Sequence, residues 1–184
     1  MNINVWDTTN GLLRILARLQ VFAVEFELLI FGLCTLFGIV FIVVGLRAAT
    51  LRSELGPARG GWAGPISWVL CGVVFLGMPR FLGVLSQSVF SRSDQVGAHQ
   101  ILAYAPDMVD VFAREHSLAT IEGIIQVVQV IGLIGVVRGI FLLNNALQPA
   151  GQGGLGAGIT HLIGGILAYN IVVFMGVLND LFVS

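Results

Sequence analysis

Charged and nucleophilic side chains set in apolar sequence are the residues best placed to do chemistry in this chain. Glu25, Glu27 and Glu122, Arg80 and Arg138, His161, Cys34 and Cys71 all stand within or beside strongly apolar runs. A proton or ion path would want acidic or imidazole groups at the middle of such a run. Glu25, Glu27 and Glu122 instead sit near the starts of two runs, and Arg80 near the end of another. The expected role of Arg80 is therefore to pair with one of these carboxylates, which neutralises both charges. Arg138, at the end of its run, can extend its head to an aqueous interface. A metal centre needs several ligands at close spacing; His99 and His116 are far from His161, which reads as a hydrogen-bonding core or interface residue. The two cysteines read as small packed hydrophobes rather than a disulfide. There is no P-loop, HExxH or GxSxG, and PAGQGGLGAG lacks the Lys-Ser/Thr of a nucleotide loop. No catalytic residue, metal or cofactor is expected, with room left only for a structural phospholipid.

The elements that position these residues follow from composition. The 184 residues are 57% hydrophobic and 10% charged, with a mean hydropathy of +0.95; soluble chains carry about 25% charged residues. The excess apolar surface must face lipid or other subunits. Crossing the hydrocarbon core takes about 20 apolar residues as a helix, and four stretches qualify: about Leu28 to Leu46, Trp62 to Leu85, Leu118 to Leu143 and Ala157 to Leu178. Period-two alternation is absent, which argues against a barrel. Pro79 is expected to kink the second span. Ahead of the first span, GLLRILARLQVF (Gly11 to Phe22) puts Leu12, Ile15, Leu16 and Leu19 on one face and Arg14 and Arg18 on another. It reads as a short interfacial helix, with a plain extension of the first span as the alternative. The opening MNINVWDTTN lacks a basic n-region, so the first span is expected to serve as the targeting signal.

The connections set the orientation. Residues 47–61 hold Arg47, Arg52 and Arg59 against Glu54, whereas residues 91–117 are net acidic. Arginine biases a loop to the cytoplasm, so the acidic connection and both termini are expected outside. The expected organisation is an amphipathic segment over 1–22, a first helical hairpin over 23–90, an outer loop over 91–117 and a second hairpin over 118–184. A net charge of −1 gives nucleic acid nothing to bind.

The two hairpins echo one another. Gly38 and Gly45 recur as Gly132 and Gly139 at an offset of 94. At an offset of 93, Ile66, Gly72, Phe81, Gly83, Val84 and Leu85 recur as Ile159, Gly165, Phe174, Gly176, Val177 and Leu178, and Ser67 as Thr160. Each unit holds two spans, so the copies share one orientation, unlike the inverted repeats of many transporters. The expected fold is thus an all-α membrane protein of four transmembrane helices in two tandem, parallel-repeat hairpins, plus a short N-terminal amphipathic helix. Small residues drive helix association in lipid. Gly156, Thr160, Gly164 and Ala168 form one ridge, and Gly135 and Gly139 a shorter one; packing within one subunit and packing between subunits are both open.

VVQVIGLIGVVRGIFLL, followed by GGLGAGITHLIGGILAYNIV, resembles the IcmC/DotE family of Dot/Icm type IVB secretion systems and the TraQ-type proteins of related conjugation systems. The two-helix IcmD/DotP and TraR proteins share the second hairpin pattern. The resemblance covers roughly Trp62 to Phe182 and is strongest from Gln126 to Val172, with Ala157 standing where the family often has a basic residue. It implies a non-enzymatic subunit of the bacterial inner membrane, surrounded by lipid and in contact with other type IV secretion subunits; with the arginine bias both termini are then expected in the periplasm, and the glycine faces point to self-association. A second expectation is a pilin-like subunit of an extracellular filament, because conjugative pilins are hairpins stored in the membrane with both termini outside. A small channel or transporter ranks third, resting on scattered Gln126, Gln129, Asn144, Asn145 and Asn170.

Overall fold

The computed structural model describes residues 5–55, 61–90, 111–148 and 154–183. Among them every regular element is a helix: α1 (Val5–Leu55), α2 (Ala63–Leu76), α3 (Met78–Phe90), α4 (Val111–Ala146), α5 (Leu155–Tyr169) and α6 (Ile171–Val183). Two stretches are each long and apolar enough to cross a membrane as a single helix, Val21–Glu54 within α1 and Gly123–Ala146 within α4.

Of the two readings of Gly11 to Phe22, a short separate helix and an extension of the first span, the structure has the extension. Helix α1 runs unbroken for 51 residues, because no proline interrupts Val5 to Leu55 and extending an existing helix costs far less than nucleating a new one. Helix α4 likewise begins at Val111, inside the stretch expected to be loop. Residues 91–110 of the expected outer loop lie outside the described residues.

The second and fourth apolar stretches are not straight. The axes of α2 and α3 meet at 89°, and those of α5 and α6 at 83°; each pair passes the length and apolarity test only when taken together. The 14 residues of α2 and 15 of α5 give roughly 21–23 Å at 1.5 Å per residue, short of a hydrocarbon core of about 30 Å. The breaks fall at Gly77 and Asn170, an offset of 93, by different chemistry. Pro79 has no N–H to offer the Phe75 carbonyl and its ring crowds that oxygen. At the second break Asn170 supplies the device itself. Its backbone N–H makes the regular bond to the Ile166 carbonyl at 3.0 Å, and its side-chain amide adds a second donor to the same oxygen at 3.0 Å, a local side-chain bond of the kind that competes with the ladder.

The core gathers where α1, α2 and α4 meet. Phe41 sits 4.6 Å from Trp68 and 5.6 Å from Phe75 between ring centroids, and Phe141 of α4 closes on both Phe41 (5.4 Å) and Phe75 (5.1 Å). Phe75, Met78, Leu133, Val136 and Cys34 are the largest fully buried side chains. Cys34 and Cys71 are both free thiols.

Candidate functional site

Glycine sets the closest approaches. A Cβ on Gly38 would lie 2.8 Å from the Gly72 carbonyl oxygen and 2.9 Å from the Leu76 amide; on Gly45 it would lie 3.0 Å from the Pro65 carbonyl and the Val69 amide. These backbones can touch only without a side chain. The seam between α4 and α5 uses the same register. Gly132 meets the Gly165 carbonyl and the Tyr169 amide, and Gly139 meets the Gly158 carbonyl and the Leu162 amide. Each of these partners stands 93 residues after its counterpart on α2.

Not all of the small residues are used this way. A Cβ added at Gly156 or Gly164 would meet nothing within 4 Å, Thr160 is exposed and Ala168 half-buried. With Ile131, Gly135 and His161, three of these small residues (Thr160, Gly164 and Ala168) line an open groove of about 290 Å³ between α4 and α5. Gly135 floors it, its own Cβ position 3.2 Å from the Gly165 Cα. His161 takes part only through a ring nitrogen 2.8 Å from the Ala157 carbonyl. No group of three or more metal-ligating side chains occurs among the described residues. The groove is apolar, shallow and floored by backbone, which suits a helix face rather than a small polar substrate.

Comparisons with protein-family models, curated proteins and solved structures find no match. The function therefore has to come from this geometry.

Three side-chain hydrogen bonds join the first helical pair to the second. At one end, the Gln148 side-chain amide donates to the Ser67 hydroxyl at 2.9 Å, and Ser67 donates onward to the Gly64 carbonyl at 2.8 Å. At the other, the Tyr169 hydroxyl donates to Glu27 at 3.0 Å, and Ser86 donates to the Asn170 side-chain oxygen at 2.8 Å. Glu27 thus has the Tyr169 hydroxyl as its partner. Arg80 is exposed and lines a cleft of about 410 Å³ beside Ser86, Gln87, Tyr169 and Asn170, while Glu25 is exposed on α1. Glu122 lies within α4, its side chain outside the described residues. Arg52 keeps one buried guanidinium nitrogen without a partner, and no contact in the structure accounts for it.

The sequence alone does not single out Gln148, Ser67 or Tyr169 as ties. A signal for Ser67 is present, since it pairs with Thr160 in the repeat. Asn144 and Asn170, candidates for a polar pathway, are both buried. Asn144 stands 3.4 Å from the Gln148 amide, and Asn170 is bonded to Ile166 and Ser86.

The ties also reveal a stagger. Gln148 stands 94 residues after Glu54, yet it meets Ser67, which lies between the two α2 residues that contact Gly45. Tyr169 stands 93 after Leu76, which lies at the level of Gly38, yet it reaches Glu27. At both ends the second pair is displaced the same way along α1, on the order of 10 Å at 1.5 Å per residue.

Proposed function

We propose that this chain is a structural, self-associating membrane subunit, built as four spans in two tandem hairpins of one orientation, each second span broken by a right-angled elbow. The observation that carries it is the open groove over Thr160, Gly164 and Ala168. In lipid a small-residue face has no hydrophobic reason to lie bare, and close helix packing is what it is good for. The duplication is supported by the matched seams, Gly38 on Gly72 and Gly132 on Gly165, and by elbows at matched positions. The resemblance to IcmC/DotE and TraQ-type proteins supports membership of a type IVB secretion or conjugation apparatus in a bacterial inner membrane, with both termini periplasmic.

The stagger favours a second use of the same subunit, as a pilin-like element of a filament. Two hairpins fixed in a flat bilayer gain nothing from an axial offset, whereas a helical assembly requires one. Purification of the full chain in mild detergent, followed by particle imaging, tests the main reading: assemblies of many copies are expected, and a monomer at all concentrations overturns it. Sheared extracellular material from cells that make the protein separates the two uses. Its presence there identifies a filament subunit, and its confinement to the membrane identifies a resident one.

A further inference from the structure

The self-association proposed above leaves open which surfaces meet, and the chain holds its own template for that contact. Within one chain, α4 buries Val130, Leu133 and Ile140 to 9, 0 and 4% exposure. On the same face its Phe141 ring sits 5.8, 5.4 and 5.1 Å from Phe37, Phe41 and Phe75 of the first hairpin. The positions 94 residues earlier on α1 are Leu36, Ile39, Leu46 and Arg47. All four are exposed, the aliphatic ones by 61, 51 and 56%. Val43, the counterpart of half-buried Val137, is 58% exposed. The ridge that α4 uses inside the chain is therefore bare on α1.

The receiving surface has a counterpart as well. Phe37, Phe41, Trp68 and Phe75 correspond to Ile131, Gly135, His161 and Ala168, and all four of these line the groove between α4 and α5. The socket that holds Phe141 in the first hairpin is present in the second with its aromatic walls cut down to Gly135 and Ala168. One chain thus displays a free ridge on its first hairpin and a free socket on its second.

We infer that the α4–α5 groove receives the α1 ridge of a second copy of this chain, repeating between copies the contact made within one. Arg47 takes the place of Phe141, and its charge, with no acidic group in the lining, makes it the weakest part of the fit. Thr160 stands for Ser67 and Glu54 for Gln148; the Thr160 hydroxyl, which within one chain donates to the Gly156 carbonyl at 2.9 Å, turns its one hydrogen to the carboxylate when the copies meet. Ridge and socket are different surfaces, so the contact is head-to-tail and propagates.

The test uses the full chain in detergent with Cys34→Ala and Cys71→Ala, mixing one protein carrying Arg47→Cys with another carrying Ala168→Cys. A disulfide is expected only in the mixture. Gly164→Leu, which fills the groove at a position with open space around it, should cut the cross-link at least tenfold. Arg47→Phe, which restores the Phe141 knob on the otherwise native chain, should raise association severalfold. Assembly that persists with Gly164→Leu, or that cross-links Arg47→Cys to itself, overturns the inference while sparing self-association. A chain that is monomeric throughout overturns both.

Discussion

A methyl group added at Gly132 has nowhere to go, since the Gly165 carbonyl oxygen would lie 2.7 Å away and the Tyr169 amide still closer. Both are backbone, so the helices must separate. Gly132→Ala is expected to lower stability by about 1–3 kcal/mol, the usual cost of overpacking. Gly164 lies on the same pair of helices with nothing within 4 Å, and Gly164→Ala should stabilise the isolated chain by roughly 0.5–1 kcal/mol through helix propensity. Thermal melts of the two variants in detergent should thus move in opposite directions. Two downward shifts of equal size would mean that the groove is already filled in the isolated chain. Tyr169→Phe makes a separate case. It removes the hydroxyl that Glu27 accepts from and should cost about 1 kcal/mol. The loss should be much smaller in a Glu27→Leu background, where the hydroxyl has no acceptor to lose.

The elbows belong to the scale of the helix. Both turn by more than 80°, one beside the proline at 79 and one at Asn170, and neither residue occurs at the other break: Val172 stands where Pro79 would, and Gly77 where Asn170 would. Asn170→Leu should therefore open the α5–α6 angle and leave α2–α3 bent, at a cost of about 1–3 kcal/mol from the stranded Ser86 hydroxyl. Spin labels at exposed Ile163 and Met175 would register the change as a longer distance. An unchanged distance would place the cause in packing rather than in Asn170. Only one elbow was legible in the sequence, because proline announces its missing N–H, whereas an asparagine in an apolar run carries no comparable mark of a break. The four apolar stretches and the glycine register could be read directly, since hydropathy and close packing leave periodic traces. The length of α1 could not: an amphipathic segment abutting an apolar one reads equally as a separate helix or an extension. The partner of Glu27 was hidden for a related reason. Charge suggests charge, and a tyrosine 142 residues away offers no local clue.

At the scale of the whole molecule, the proposed duplication makes the half-chain, rather than the chain, the unit of construction. If the contact between hairpins recurs between copies, every hairpin in an assembly meets its neighbour by nearly the same rotation and rise, whether or not the polypeptide continues across the junction. The rise within one chain is on the order of 10 Å, so each full chain should advance the assembly by about twice that along the path of the hairpins. An operation with a rise closes no ring and instead generates an open helix. Averaged images of the purified assembly should accordingly show a strong repeat at the hairpin step and a weaker one at double that spacing. The weak repeat arises from the residues that distinguish the halves, with Phe41, Trp68 and Phe75 packed in one and Gly135, His161 and Ala168 in the other. Arg47→Phe brings the two junctions closer to equivalence and should weaken the doubled repeat relative to the single one. A closed ring with all hairpins at one height would show that the stagger is a property of the lone chain, released when copies meet, and would return the subunit to a flat assembly within the bilayer.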